Sequence, residues 1–217
     1  MKFKSVIILS MILLAGCSSR SSLPDFTASG YLADRGAVRI WRKDSQQEVA
    51  HMMTVFSPFN GDATEITDYN WQAGKLVSIE RHIKGAYPDD VTLRFDQQGN
   101  LNFMQRQLQG RREAVSADAV ELYLFDAQRM LKISDALLSG RVMLKQGHWL
   151  ANGEVKTCQG KLEKPALDDR ALTNIAQRQS RSRIPVSIAW LEAPEGTQLL
   201  LVANEDYCQW EPKEEDF

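Results

Sequence analysis

Between residues 27 and 110, apolar and polar positions alternate with a period near two, and turn residues break the alternation at close intervals. Tyr31 and Leu32 run into an Asp34-Arg35-Gly36 turn, after which Val38 and Ile40 share one face. Residues 49–56 form a second apolar run, stopped by Ser57-Pro58 and Asn60-Gly61. Residues 66–71 turn through Gln72-Ala73-Gly74 into 76–83, and 91–95 turn into Leu101 and Phe103. A period of two means a sheet with a buried face, and repeated tight turns make each strand the neighbour of the next. The expectation is an antiparallel meander.

At Ser116 the period changes. Val120, Leu124, Ala127, Leu131 and Leu138 recur at helical spacing, with Tyr123, Met130 and Leu137 beside the stripe. Ser116 suits the N-cap, Asp118 the positive first turn, and Gly140 the end. Leu122, Phe125 and Ile133 widen the apolar surface, which predicts a helix lying against the sheet. Residues 141–144 and 154–162 read as strands, 167–179 as a second helix behind Pro165, and 185–191 with 197–202 as a hairpin around Pro194-Glu195-Gly196. The acidic tail, 211–217, reads as frayed. The fold class expected is α+β: an antiparallel β-meander packed against a long helix, with a second short helix and a C-terminal hairpin, in one domain over 27–217.

The segment ahead of this body has a different pattern. Met1-Lys2-Phe3-Lys4 is a short positive region, 6–14 is an apolar run interrupted by Ser10, and Ala15-Gly16 precedes Cys17. That is the three-part form of an export signal, and the run is too short for an ordinary membrane span of roughly twenty residues. Leu14-Ala15-Gly16-Cys17 resembles the bacterial lipobox. The resemblance implies cleavage after residue 16 and acyl chains on the sulfur and amine of Cys17. Each buried methylene adds about 0.8 kcal/mol, so several chains would hold the protein firmly. Ser18 follows the cysteine instead of Asp, which by the same analogy points to the outer membrane, with the body facing the periplasm. Residues 17–26 then read as the lipidated cysteine and a flexible tether.

With Cys17 set aside, Cys158 and Cys208 remain as an even pair in an oxidising compartment. A bridge between them would contribute about 4 kcal/mol in the chain-entropy model. Two free thiols or half of a metal site are the alternatives, but neither cysteine has a CxxC partner or a sequence-adjacent His. The 217 residues are 43% hydrophobic and 25% charged, ordinary for a globular domain. Net charge is −2, and −4 once Lys2 and Lys4 leave with the signal, a balance that argues against nucleic-acid binding.

Candidate chemistry is sparse. His51, His82 and His148 are scattered over three elements, unlike a helical metal motif. Glu80 and His82 share a strand face and form the one acid–base candidate, although such pairs more often face solvent. Asp62, Glu65 and Asp68 offer a weak surface cation site without the oxygen spacing of a calcium loop. Asp89-Asp90 and Asp168-Asp169 are patterns of turns and helix starts. Arg178, Arg181 and Arg183 could meet anionic head groups, or simply cap a helix. Of the five tryptophans, Trp41, Trp71, Trp149, Trp190 and Trp210, Trp190 suits a core, while Trp149 and Trp210 are the better candidates for exposure and sugar stacking, although packing is the commoner role. Neither a G-x-S-x-G elbow nor a glycine-rich phosphate loop occurs.

The lipobox, the length and the run Ile188-Ala189-Trp190-Leu191-Glu192-Ala193-Pro194-Glu195-Gly196-Thr197-Gln198-Leu199-Leu200-Leu201-Val202 resemble an uncharacterised family of predicted lipoproteins from enteric and related gammaproteobacteria. That resemblance implies an anchor and a compartment, and no activity. The leading functional expectation is a non-catalytic envelope module, without metal or cofactor, that binds or organises an envelope protein, polymer or apolar ligand. A carrier with an apolar ligand between meander and helix is the second. A hydrolase using Glu80 and His82 is the third.

Overall fold

The computed structural model describes residues 23–46, 48–61 and 63–217. The export signal, Cys17, the tether up to residue 22, and Asp62 lie outside the described residues.

Eight strands pair in chain order into one antiparallel sheet: β1 (Phe26–Ala33), β2 (Gly36–Ser45), β3 (Glu48–Pro58), β4 (Thr64–Gln72), β5 (Lys75–Lys84), β6 (Asp89–Phe95), β7 (Leu101–Leu108) and β8 (Arg111–Glu113). Two of its hairpins turn on residue pairs with positive φ, Ala73-Gly74 (48° and 70°) and Gln109-Gly110 (51° and 78°). Both-positive φ is the two-residue turn whose twist matches the flanking strands. The long helix α1 (Ala117–Ser139) follows, with Ser116 Oγ accepting from Ala119 N at 3.2 Å. A second antiparallel sheet is ordered β11-β10-β9-β12-β13, from β9 (Met143–Trp149), β10 (Val155–Thr157), β11 (Leu162–Glu163), β12 (Ser187–Ala193) and β13 (Gly196–Ala203). Helix α2 (Asp169–Gln179) lies between β11 and β12 in the chain, capped by Asp168, whose carboxylate accepts from Ala171 N at 2.7 Å. The α+β class, the meander, the two helices and the C-terminal hairpin are as expected.

The arrangement has four layers: α1, the meander, the second sheet and α2. Side-chain alternation along β2 explains why. Val38 and Ile40 project toward α1 and join Met52, Tyr69, Ile79, Val91 and Leu93 beneath Val120, Ala127 and Met130. Ala37 and Trp41 project the other way, with Val55, onto Leu144, Ala189, Leu191 and Leu200 of the second sheet. The far side of that sheet packs Val155, Ile188 and Trp190 against Ile175 of α2. Strand β12 is therefore covered on both faces, which accounts for its unbroken apolar run.

Several expectations need correction. Leu122 and Phe125 are 67% and 62% exposed and do not lie on the sheet. Each sits two residues from a buried position, Val120 or Ala127, which is about 200° round a helix. The helix ends at Gly140 in an ordinary right-handed conformation, and the left-handed residue is Arg141 (φ 55°). The tail is docked rather than frayed. Cys208, joined to Cys158, pins a short 3₁₀ turn (Tyr207–Gln209) that lies beyond the last strand. From there Trp210 packs edge-on against Trp41 at 6.0 Å, and Phe217 reaches Phe26 at 5.2 Å and His51 at 4.2 Å between ring centres. Trp210 is accordingly half-buried, and Trp149 packs against the core around Trp190. Among the described residues no helix is long and apolar enough to cross a membrane.

Candidate functional site

A cleft of about 710 Å³ lies between the α1 side of β1–β5 and the first half of α1. Its apolar wall is Tyr31, Val38, Phe56, Leu122 and Met130; its polar groups are Glu65, Tyr69, Arg81, Asp126 and Arg129, with Thr54 and Thr67 on the floor. The strand register puts these together. Phe56 opposes Glu65, Thr54 opposes Thr67, Met52 opposes Tyr69, and Thr67 opposes Arg81, so one face of the sheet presents them all to the helix.

Two charge networks border the cleft. The Tyr69 hydroxyl donates to Asp126 Oδ2 at 2.8 Å, and Arg129 donates through Nε and Nη2 to Asp126 Oδ1 at 3.1 and 2.7 Å. Burial, reinforced by the Asp126 carboxylate, pushes the Tyr69 phenol far above its ordinary value, so it remains a donor. On the sheet, Arg81 donates to Glu65 at 2.9 Å and to Asp89 at 3.4 Å, and Arg106 holds Asp89 bidentately at 2.8 and 2.9 Å. The hydrogen bonds from Arg106, then the two positive charges, keep the Asp89 carboxyl below its usual range. Burial alone would lower the Arg81 pKa, but its bond to Glu65 leaves it raised.

The chemistry available is recognition of an amphipathic molecule. The volume falls within the usual range for small-molecule sites, and such sites combine apolar walls with a few fixed polar groups.

The sequence-predicted site residues fall elsewhere. Glu80 and His82 lie on the opposite face of β5, and neither lines the cleft. The expected pairing of the two is replaced by a hydrogen bond from His82 Nδ1 to Asp90 Oδ1 at 2.8 Å, with both side chains roughly half exposed. Across the ladder Glu80 stands opposite Asp68 and Thr92. The acidic trio is also divided. Glu65 pairs with Arg81 on the helix side, while Asp68, three residues on and so on the other face, meets His51 at 3.0 Å. Asp62 belongs to the residues not described. Asp168 and Asp169 do start a helix. Of the three arginines, Arg178 donates to Asn204 at 3.1 Å.

Sequence reasoning missed Tyr69, Arg81, Asp126 and Arg129. Arg81 precedes His82 on the buried-face parity set by Ile79, and that alternation was the available signal.

The fold and cleft define a class: two stacked antiparallel sheets with a helix on each outer face and a ligand-sized opening beside the longer helix. The chain belongs to the family described as "Protein of unknown function (DUF1481)", which matches residues 28–213. It is 48% identical over 215 residues to a protein of Escherichia coli (strain K12) titled "Uncharacterized protein YjaH", an alignment that covers 99% of this chain and 93% of that one. No solved structure matches the chain. The expected kinship with an uncharacterised family holds at that level.

Proposed function

We propose that this chain is a bacterial envelope lipoprotein, anchored through Cys17 at the periplasmic face of the outer membrane, whose body binds an amphipathic ligand beneath α1 without converting it. The observation that carries the binding half is the cleft of about 710 Å³, with an apolar wall of Tyr31, Phe56 and Met130 facing the polar groups Arg81, Glu65 and Asp126. Leu14-Ala15-Gly16-Cys17 and Ser18 support the anchor and the compartment. A tethered carrier or receptor needs the two together: lipid chains that retain the protein at a surface and a pocket that presents or accepts a molecule there.

Both halves are testable on the full chain. A clickable palmitate analogue should label the wild type in cells and leave Cys17→Ser unlabelled; equal labelling would sink the anchor. For the cleft, detergent-extracted protein is titrated with a fluorescent naphthylamine, an amphipathic probe. Ala33→Trp adds bulk at the cleft rim, where Ala33 is partly buried at the edge of the α1-side core, and in protein with unchanged far-ultraviolet dichroism should weaken probe binding at least tenfold. Equal affinity in the two proteins would refute the binding site.

A further inference from the structure

At the opposite side of the molecule from α1, three donors converge. His148 on β9, Asp206 at the cap of the 3₁₀ turn, and Cys208 within that turn place their ligand atoms within 4.8 Å of one another. His148 Nε2 and Asp206 Oδ1 are already 2.9 Å apart, with side chains about one-third exposed, and the same Oδ1 accepts from Cys208 N at 2.9 Å. The fourth group is Cys158, covalently bound to Cys208 in this structure. It arrives through the β9–β10 hairpin, where Lys156 pairs with His148 and Thr157 with Gly147, so Cys158 stands just beyond the end of that ladder.

We infer that this cluster is a redox-gated site for a thiophilic divalent cation, with Zn²⁺ held by Cys158, Cys208, His148 and Asp206 once the disulfide is opened. The inference is independent of the α1 cleft. Oxidised, the cluster offers only an imidazole and a carboxylate, because disulfide sulfurs are not thiolate ligands. A dithiol reductant supplies two electrons and two protons: its own sulfurs form a disulfide, and Cys158 and Cys208 become thiols. Zinc then displaces both thiol protons, which pass to solvent, and enters between His148 Nε2 and Asp206 Oδ1. The product is a four-coordinate S₂NO site.

Among the three donors that lie within 4.8 Å of one another, the spacing is close to what zinc requires. Bond lengths of about 2.0–2.3 Å in a tetrahedron put neighbouring donor atoms about 3.3–3.8 Å apart. His148 and Asp206 must therefore spread by a few tenths of an ångström, and Cys158 Sγ, now bonded to Cys208 Sγ and outside that trio, must swing off its partner sulfur to take the fourth position. Both cysteines sit in turns, and all four side chains are half-buried and reachable from solvent. In either state the cross-link holds the 3₁₀ turn to β10, so the docked tail keeps its anchor while the bond changes from covalent to coordinate.

The test uses the full chain, reduced with a phosphine and titrated with Zn²⁺ against a chromophoric chelator. The reduced protein should bind one equivalent at least a hundredfold more tightly than the oxidised protein. His148→Gln, whose intact disulfide allows its fold to be verified before reduction, should lose at least tenfold. Co²⁺ in place of zinc should give sulfur-to-metal charge transfer and the intense visible bands of a tetrahedral site. Zinc affinity unchanged by reduction, or unchanged in reduced His148→Gln, overturns the inference. So does loss of the native near-ultraviolet dichroism on reduction that one equivalent of zinc fails to restore.

Discussion

Arg39 is 1% exposed, yet among the described residues no carboxylate forms an ion pair with it. Its Nη1 donates to Gln146 at 2.8 Å and its Nη2 to Ser57 at 2.9 Å, while Nε meets no acceptor. The guanidinium carbon stands 4.5 Å from the ring centres of both Tyr207 and Trp210. Burial lowers its pKa to about 10. A cation with a lowered folded pKa disfavours the native state at neutral pH, and that penalty is relieved only as pH rises above about 10 toward the ordinary arginine value. The drop corresponds to roughly 3 kcal/mol. Against it stand two hydrogen bonds from a charged donor, about 1.5–3 kcal/mol each, and two desolvated cation–π contacts, about 1 kcal/mol or more each. The balance favours the arginine by about 3 kcal/mol. Arg39→Met keeps an apolar stem of similar length and removes the guanidinium, so it should destabilise by about 2–3 kcal/mol, mostly through Gln146 and Ser57 losing their donor. Urea unfolding of the oxidised protein, with an unchanged m-value, measures this. A double-mutant cycle with Trp210→Leu should show coupling of about 1 kcal/mol. An Arg39→Met variant as stable as the wild type, or more so, would refute the reasoning, because it would mean the buried charge is a net liability.

Three other outcomes follow from the geometry. A Cβ on Gly147 would lie 2.3 Å from the Lys156 carbonyl oxygen and 2.7 Å from Thr157 Cα, both backbone, so Gly147→Ala should cost at least about 2 kcal/mol in urea unfolding. The depressed Asp89 carboxyl contributes stability above its unfolded pKa, near 4, that is lost as pH falls through the lower folded value. Asp89→Asn should therefore flatten the acid limb of the stability profile; an unchanged limb would rule that linkage out. Hydrogen exchange should be faster over 117–124 than over 127–138 of α1, since Asp126, Ser134 and Asp135 tie the later part to Tyr69 and Arg42; uniform exchange along the helix would contradict it.

The meander and α1 were legible because their signals are local. A two-residue period and tight turns settle which strands are neighbours, and a helical stripe settles which face is buried. The second sheet was not legible as a sheet, because β9 pairs with β12, where Ser187 meets His148 across a long intervening segment. Nor was the sandwich. Ala37, Arg39 and Trp41 face the second sheet, but a charged residue in the middle of that face reads as solvent exposure, and only the aromatic pair from the tail explains it. The cleft was hidden for a related reason: Tyr69, Arg81, Asp126 and Arg129 come from three elements, and in one dimension each looks like ordinary surface polarity. The zinc-type cluster escaped because His148 is ten residues from Cys158 and meets it only through the β9–β10 hairpin, while Asp206 and Cys208 come from the last turn.

The unequal covering of the meander follows from its length. Eight strands exceed what one helix or one five-stranded sheet can cover, so the apolar area is shared between them on opposite faces. Near β1–β3 both faces are covered and even a guanidinium is enclosed; farther along, Glu80, His82 and Asp90 carry the outer face into solvent. On the inner face α1 runs its full length against the same sheet, but its polar ties begin only at Asp126. Ahead of them, Leu122 turns outward and Ala119 is too small to fill the gap to Tyr31 and Phe56. The cleft is thus what remains beside α1 where Val120 seats the helix on the core but Ala119 and the outward Leu122 leave Tyr31 and Phe56 only partly covered. Its polar rim persists because the two pairs within it, Glu65 with Arg81 and Asp126 with Arg129, satisfy each other, which leaves the apolar wall as the part open to a ligand.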